Sequence, residues 1–188
     1  MERVVVLVKP DGVKRGLVGE IISRFERVGL KIVAMKMMWA TEDHLSKHYT
    51  DKEEYLINLG KKTLKTYEEY GKDANEDLGT DDPLELGKMI RKWLIDYVGS
   101  GPVVAILLEG RHAVDNARAI AGPTVPVNAP PGTIRGDFST DSPAYANSER
   151  RGVHNIVHVS GSNEEADFEE KLWFHQAEIH TYKRSDEL

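Results

Sequence analysis

The fold class predicted for this chain of 188 residues is an α/β sandwich. Three observations lead to it. Short β-branched apolar runs alternate with segments whose apolar residues fall at helical spacing. Glycine, proline and aspartate stand at most junctions between them, where turns and helix ends need them. The composition, 40% hydrophobic and 30% charged, is that of an ordinary core under a solvated surface. At roughly 150 residues per domain the chain reads as one domain.

Residues 3–8, Arg-Val-Val-Val-Leu-Val, form a continuous run and predict a buried strand. Lys9-Pro10-Asp11-Gly12 ends it with turn chemistry. Apolar residues then recur at 17, 18, 21, 22, 25 and 28, which is a helix, and Gly29 stops it. Residues 30–39 predict a second strand, and Thr41 caps a short helix to about Tyr49. Residues 51–82 are polar and weakly periodic, with a surface loop predicted over 73–83. Helical spacing returns at 86, 89, 90, 93, 94 and 97, until Gly99-Ser100-Gly101-Pro102 breaks it. Residues 103–108 predict a third buried strand, and 113–121 a helix ended by Gly122-Pro123. Residues 122–152 contain Pro123, Pro126, Pro130, Pro131 and Pro143 and read as a long loop, functional or inserted. A short strand over 155–159 and an acidic helix over 163–174 follow. The strands are few and one connection is short. A split β-α-β of the ferredoxin-like kind therefore fits as well as a doubly wound sheet.

The absence of cysteine excludes a disulfide framework, zinc ribbons, iron–sulfur ligation and thiol catalysis, and suits a reducing cytosol. The longest apolar runs fall far short of the roughly 20 residues of a membrane span. Met1-Glu2-Arg3 leads straight into a strand with no small-residue cleavage site, so no secretory signal is expected. The terminal Ser185-Asp186-Glu187-Leu188 resembles a retrieval signal of the endoplasmic reticulum; without a leader it reads as a solvated tail. A net charge of −6 argues against a nucleic-acid coat. Bases are concentrated locally, and the first fifty residues are net basic.

Three segments carry chemistry. Lys9 follows a buried strand, at a sheet edge where ligands of α/β folds sit, although Lys-Pro-Asp-Gly by itself is an ordinary turn. In Pro131-Gly132-Thr133-Ile134-Arg135-Gly136-Asp137-Phe138, glycines flank an arginine whose planar fork suits phosphate. Arg118 and Thr124 precede it and would complete an anion clamp; surface salt bridging is the plainer reading of Arg118. In Asn155-Ile156-Val157-His158, the histidine ends an apolar strand just before small residues and a helix. Glu169 on that helix could hold one imidazole nitrogen and leave the other to attack. His44 and His48, four apart on a helix, lack a third ligand and do not make a metal site.

Taken together these blocks closely resemble the nucleoside diphosphate kinase family. Residues 9–21 resemble its N-terminal block, His48-Tyr49 its His-Tyr pair, and Ser100-Gly101-Pro102-Val103-Val104-Ala105 its central strand. Residues 131–138 resemble its arginine loop, Asn155 to His158 its active-site strand, and 170–174 its C-terminal helix. The resemblance implies a ferredoxin-like α+β sandwich, a four-stranded antiparallel sheet covered by helices. It implies transfer of the γ-phosphoryl of a nucleoside triphosphate such as ATP to a nucleoside diphosphate, ping-pong, which maintains triphosphate pools. By motif match His158 is the phosphohistidine and Glu169 orients it, while Lys9, Tyr49, Arg118, Thr124, Arg135 and Asn155 bind phosphates and ribose. Tyr55, Leu56 and Ile57 are candidates for base stacking. Mg²⁺ held mainly by the nucleotide phosphates, a homohexamer or tetramer, and a cytoplasmic site of action are further implications. No membrane and no specific nucleic acid is expected as a partner.

The chain departs from the pattern at His154, where an arginine is usual, at Val159, where a small residue is usual, and at Gly161, where an aspartate is common. Residues 58–83 and 139–152 look like insertions into a single domain spanning 1–188. The competing reading is a silent nucleotide- or RNA-binding module on the same fold, which needs neither His158 nor Glu169. The sheet aromatics of RNA-binding versions are not evident.

Overall fold

The structure, a computed structural model, describes residues 1–185; Asp186, Glu187 and Leu188, and with them most of the retrieval-like tail, lie outside the described residues. In chain order the first elements are β1 (Glu2–Val8), α1 (Pro10–Lys14), α2 (Val18–Arg27), β2 (Lys31–Met38), α3 (Glu42–His48), α4 (Glu53–Glu69) and α5 (Ala74–Leu78). Then come α6 (Pro83–Gly99), β3 (Val103–Gly110), α7 (Ala113–Ala121), α8 (Ile134–Phe138), α9 (Pro143–Ser148), β4 (Val157–Val159) and α10 (Asn163–Trp173). They fall into two compact units, one of Met1–Trp39, Gly101–Thr140 and Asn155–Leu188, the other of Ala40–Ser100 and Asp141–His154.

The first unit holds the sheet. Its strand order is β2-β3-β1-β4, and every pair is antiparallel. That settles the topology as the ferredoxin-like one, because a doubly wound sheet is mostly parallel. Val4 to Val8 of β1 are fully buried, as their unbroken β-branched run demands. Val4, Val6, Val8, Ile106 and Leu108 pack on one face against Ile21 and Phe25 of α2 and Ala113, Ala117 and Ala121 of α7. Each such large side chain stabilises the fold by about 1.5–3 kcal/mol. The register sets the site: Leu7 faces His158 across β1 and β4, and Val6 and Val8 face Val159 and Val157. His158 therefore points away from the core face that Val157 and Val159 join. Beyond α10 the chain runs along part of β2, with the His180 N–H donated to the Val33 C=O and the Tyr182 hydroxyl to the Ile32 C=O.

In the second unit the weakly periodic stretch proves to be α4, a helix of 17 residues. Its buried stripe is Leu56, Gly60, Thr63 and Tyr67, at helical spacing but made partly of residues that do not register as apolar. The glycine has a packing reason. A Cβ at Gly60 would fall 1.9 Å from the Pro83 oxygen, and one at Gly87 of α6 would fall 1.9 Å from the Leu56 oxygen. The two helices thus meet backbone to backbone. The segment predicted as a surface loop contains α5, capped by the Asp73 carboxylate, which accepts the Asn75 and Glu76 N–H groups. Within 139–152, Ser142 caps α9, and Asp141 pairs with Arg151 at 2.6 Å.

Candidate active site

Lys9 follows directly on β1 and is buried. Its Nζ donates to Asn155 Oδ1 at 2.7 Å, and Asn155 Nδ2 donates to the Thr124 C=O at 2.9 Å. Burial, helped by the neighbouring Arg135 charge, lowers Lys9 from 10.5 to about 7, against the opposing pull of Asp11. A phosphate arriving here would meet a lysine that its own charge can protonate.

Thr133 caps α8, accepting the Gly136 N–H at 3.1 Å, so the glycine-flanked loop is closed by a helical turn. That turn presents Arg135 inward, where the expected bidentate fork takes a different form. Arg135 Nε and Nη2 donate to the carbonyls of Asn155 and Val157 at 3.3 and 2.8 Å, and Nη1 donates to the Gly122 carbonyl. Three of its five N–H bonds are thereby committed to the backbone around the active strand. Its charge still faces the cavity it lines, of about 270 Å³, together with Arg118, Thr124, Thr133 and Val159. The Arg118 side chain has no hydrogen bond or ion pair among the described residues. It is the donor fork that an incoming anion would find unspent.

His158 Nε2 lies 2.6 Å from Glu169 Oε1, and Glu169 is almost fully buried on α10. The other carboxylate oxygen accepts the Ser160 hydroxyl at 2.6 Å. Ser160, itself fully buried, also accepts the Val5 N–H at 3.1 Å. The arrangement is a relay of serine, carboxylate and imidazole anchored to the central strand. Sequence reasoning missed Ser160, although a serine two residues after the histidine, on the same side of the strand, was the available signal. Burial, with Lys9 and Arg135 adding to it and Glu165 opposing, holds His158 well below the usual histidine range. The imidazole is neutral at pH 7, with Nε2 turned to the carboxylate and Nδ1 on the opposite side of the ring.

The remaining residues read as candidates belong to the second unit. Tyr49 closes α3, is largely buried, and its C=O accepts Arg91 Nε at 2.7 Å. Of the base-stacking candidates on α4, Leu56 is buried at the α6 contact, while Tyr55 and Ile57 are half-buried. His154 stacks on Tyr97 with ring centroids 4.6 Å apart, and its backbone N–H donates to Asp141 Oδ2. In the first unit, Val159 lines the cavity. The Gly161 N–H donates to Glu165 Oε2, and a Cβ at 161 would stand 2.5 Å from that oxygen. Glu165 thus occupies the space a side chain at 161 would take.

The family model described as nucleoside diphosphate kinase matches residues 2–57 and 85–179. A nucleoside diphosphate kinase of Pyrobaculum aerophilum is 50% identical over 179 residues, covering 95% of this chain and 98% of that one. One of Archaeoglobus fulgidus is 39% identical, covering 100% and 95%. The crystal structure of an NDP kinase from Pyrobaculum aerophilum superposes with a TM-score of 0.92 at 49% identity, over 95% of this chain and 98% of that one. A transition-state mimic of the Borrelia burgdorferi enzyme, with bound vanadate and ADP, superposes with a TM-score of 0.78 at 34% identity, over 98% and 94%.

Proposed function

The chain belongs to the nucleoside diphosphate kinase family, and from that premise we propose which of its residues carry the reaction. It is a phosphotransferase that moves the γ-phosphoryl of a nucleoside triphosphate to a nucleoside diphosphate through a phosphohistidine. In our reading that histidine is His158. The observation that carries the assignment is the 2.6 Å contact of Nε2 with a buried carboxylate, which leaves Nδ1 as the nucleophile.

In the first half-reaction the Nδ1 lone pair attacks the γ-phosphorus. An N–P bond forms, the bond to the bridging oxygen breaks, and its electron pair leaves with the nucleoside diphosphate. Glu169 takes up the positive charge that develops on the ring by accepting the Nε2 proton more fully. In the second half a diphosphate oxygen attacks the phosphorus, and the electron pair returns to Nδ1. Lys9, Arg118 and Arg135 supply positive charge where the phosphoryl oxygens gather it, which is most of what phosphoryl transfer requires. Thr124 and Asn155 complete the proposed phosphate and sugar contacts. The proposals for Tyr49, and for Tyr55 or Ile57 at the base, rest on the family pattern.

Mg²⁺ is proposed to enter with the nucleotide. The cavity lining suits that arrangement, since it holds two arginines and two threonine hydroxyls but no carboxylate. Such a lining receives a phosphate-bound ion rather than a bare one, and the bound ion would neutralise phosphate charge. A homohexamer, or alternatively a tetramer, is proposed because Met35, Met37 and Trp39, along and just past the edge strand β2, are more than half exposed. Among the described residues no helix is long and apolar enough to cross a membrane. The cytoplasm, where nucleotides are exchanged, is the proposed compartment. Residues 58–83 and 139–152 are proposed to serve stability rather than chemistry.

The deciding experiment is labelling with γ-labelled ATP alone. The chain should take up acid-labile phosphate, as a phosphoramidate is, and GDP should discharge it as GTP. His158→Ala should abolish the label while nucleotide binding persists. Undiminished labelling of that variant overturns the assignment, and His154 becomes the next residue to test.

A further inference from the structure

Asp11 stands in α1, where the chemistry above gives it no task. Its Oδ2 accepts the Ile156 N–H at 3.1 Å. Its Oδ1 is buried with no hydrogen-bond partner among the described residues. Ile156 is itself unusual. Its φ is +71°, a left-handed value that a β-branched side chain takes only under constraint. The Val157 N–H turns back to the Asn155 C=O at 2.7 Å and closes a γ-turn of the rare, strained form. Such a residue persists where its surroundings over-determine it.

The surroundings here can be named. The Ile156 C=O accepts the Lys9 N–H at 2.8 Å. Arg135 holds the carbonyls of Asn155 and Val157. Those bonds grip the oxygens of the turn; Asp11 grips the nitrogen of its strained residue. The turn contains Asn155, whose amide joins Lys9 to Thr124, and it ends one residue before His158. Relaxing φ at 156 would swing both side chains.

We propose that Asp11 is a positioning residue for phosphoryl transfer, its carboxylate locking the γ-turn at Asn155, Ile156 and Val157 and so fixing where Asn155 and His158 point. The inference rests on reading His158 as the nucleophile. Asp11 has a second, electrostatic effect that the test must separate. The charged or titratable groups facing Lys9 are Asp11 from α1, Arg135 from α8 and His158 from β4, and of these Asp11 favours the protonated lysine.

The test is the rate of phosphoenzyme formation from ATP in the full chain at pH 6, where Lys9 is mostly protonated and His158 neutral. Asp11→Ala should slow it roughly tenfold or more, with the nucleotide KM moving far less. Asp11→Asn keeps an oxygen for the Ile156 N–H and should stay within about twofold at pH 6. Its alkaline limb should move to lower pH, because the charge is gone. An Asp11→Ala variant at full rate overturns the inference, as does an Asp11→Asn variant equally slow at pH 6. Melting curves check each variant, and if Asp11→Ala does not fold, the Asp11→Asn rate decides alone. Labelling of the unaltered chain is read alongside. Its absence ends the nucleophile reading, whereas a labelled chain with an unimpaired Asp11→Ala ends this inference only.

Discussion

The two units bury different things. The sheet unit buries charge: Lys9, Lys31, Arg135 and Glu169, with Asn155 and Ser160. The helical unit buries neutral groups among its polar residues, Thr63 and Asn147, and brings α4 and α6 together through glycines. Buried charge is expensive and is seldom kept for stability alone, since an apolar residue of similar volume often does as well. The difference teaches that the sheet unit accepts a thermodynamic penalty that the helical unit avoids; on the reading proposed above, Lys9, Arg135 and Glu169 incur it to keep a phosphate site prepared.

Loss of Arg135 should give the largest contrast. Arg135→Ala removes a cavity charge and takes a hydrogen bond from each of three carbonyls, so the transition state should lose about 2–4 kcal/mol, with a lowered melting temperature besides. Lys14→Ala, at an exposed position in α1, should stay within about 0.5 kcal/mol. Steady-state kcat/KM on both variants checks this, and equal activities would remove Arg135 from the site.

The buried lysine makes a pH prediction. Lys9 attracts phosphate when protonated and titrates near 7 in the free protein, so kcat/KM should fall as pH rises through about 7. Lys9→Met should lose that limb. For stability the sign is opposite. Between about 7 and 10.5 the unfolded chain holds the extra proton, so this group's contribution to stability rises with pH there. A pH series of urea midpoints checks that direction.

A third change should touch the helical unit alone. Gly87→Ala places a methyl against the Leu56 carbonyl and should cost about 1–3 kcal/mol of stability, read as a lower urea midpoint. Labelling of His158 should survive. A variant that folds and assembles yet takes no label would break the contrast. The smallest effect concerns the base, for which Tyr55 and Ile57 offer apolar contact and few hydrogen bonds. The kcat/KM values for ADP, GDP, CDP and UDP should differ far less than the roughly 10⁴-fold of a site that reads base edges.

Legibility did not follow that divide. Strands β1 and β3 were readable from continuous β-branched apolar runs, and α2 and α6 because their apolar spacing is helical. The antiparallel order was open on the residues alone and entered with the family resemblance. Helix α4 was not readable, because Gly60 and Thr63 lie in its buried stripe and a glycine that serves close packing looks like a breaker. At the candidate site, His158, Glu169 and Lys9 were candidates by position, Lys9 and His158 with a plainer structural reading beside them, and the family resemblance supplied their roles. Ser160 was not among them, because its partner lies nine residues away on another element. Nor was the inward commitment of Arg135 readable, since flanking glycines suggest a loop open to ligand rather than a capped turn.

The link between β1 and β4 bears on how the molecule comes into being. Val5 and Ser160 are hydrogen-bonded across a sequence separation of 155 residues. Contacts this distant are slow to form, since the intervening chain must surrender its loop entropy before they yield anything in return. On a ribosome, β1 emerges first and waits while β2, β3 and their helices are made. His158 arrives with the last strand of the sheet. Its relay through Glu169 and Ser160 to Val5 closes only when that strand docks. A nascent or kinetically trapped chain therefore has no oriented His158, and on our reading of His158 as the nucleophile the first turnover of a newly made molecule reports that its longest-range strand pairing is complete.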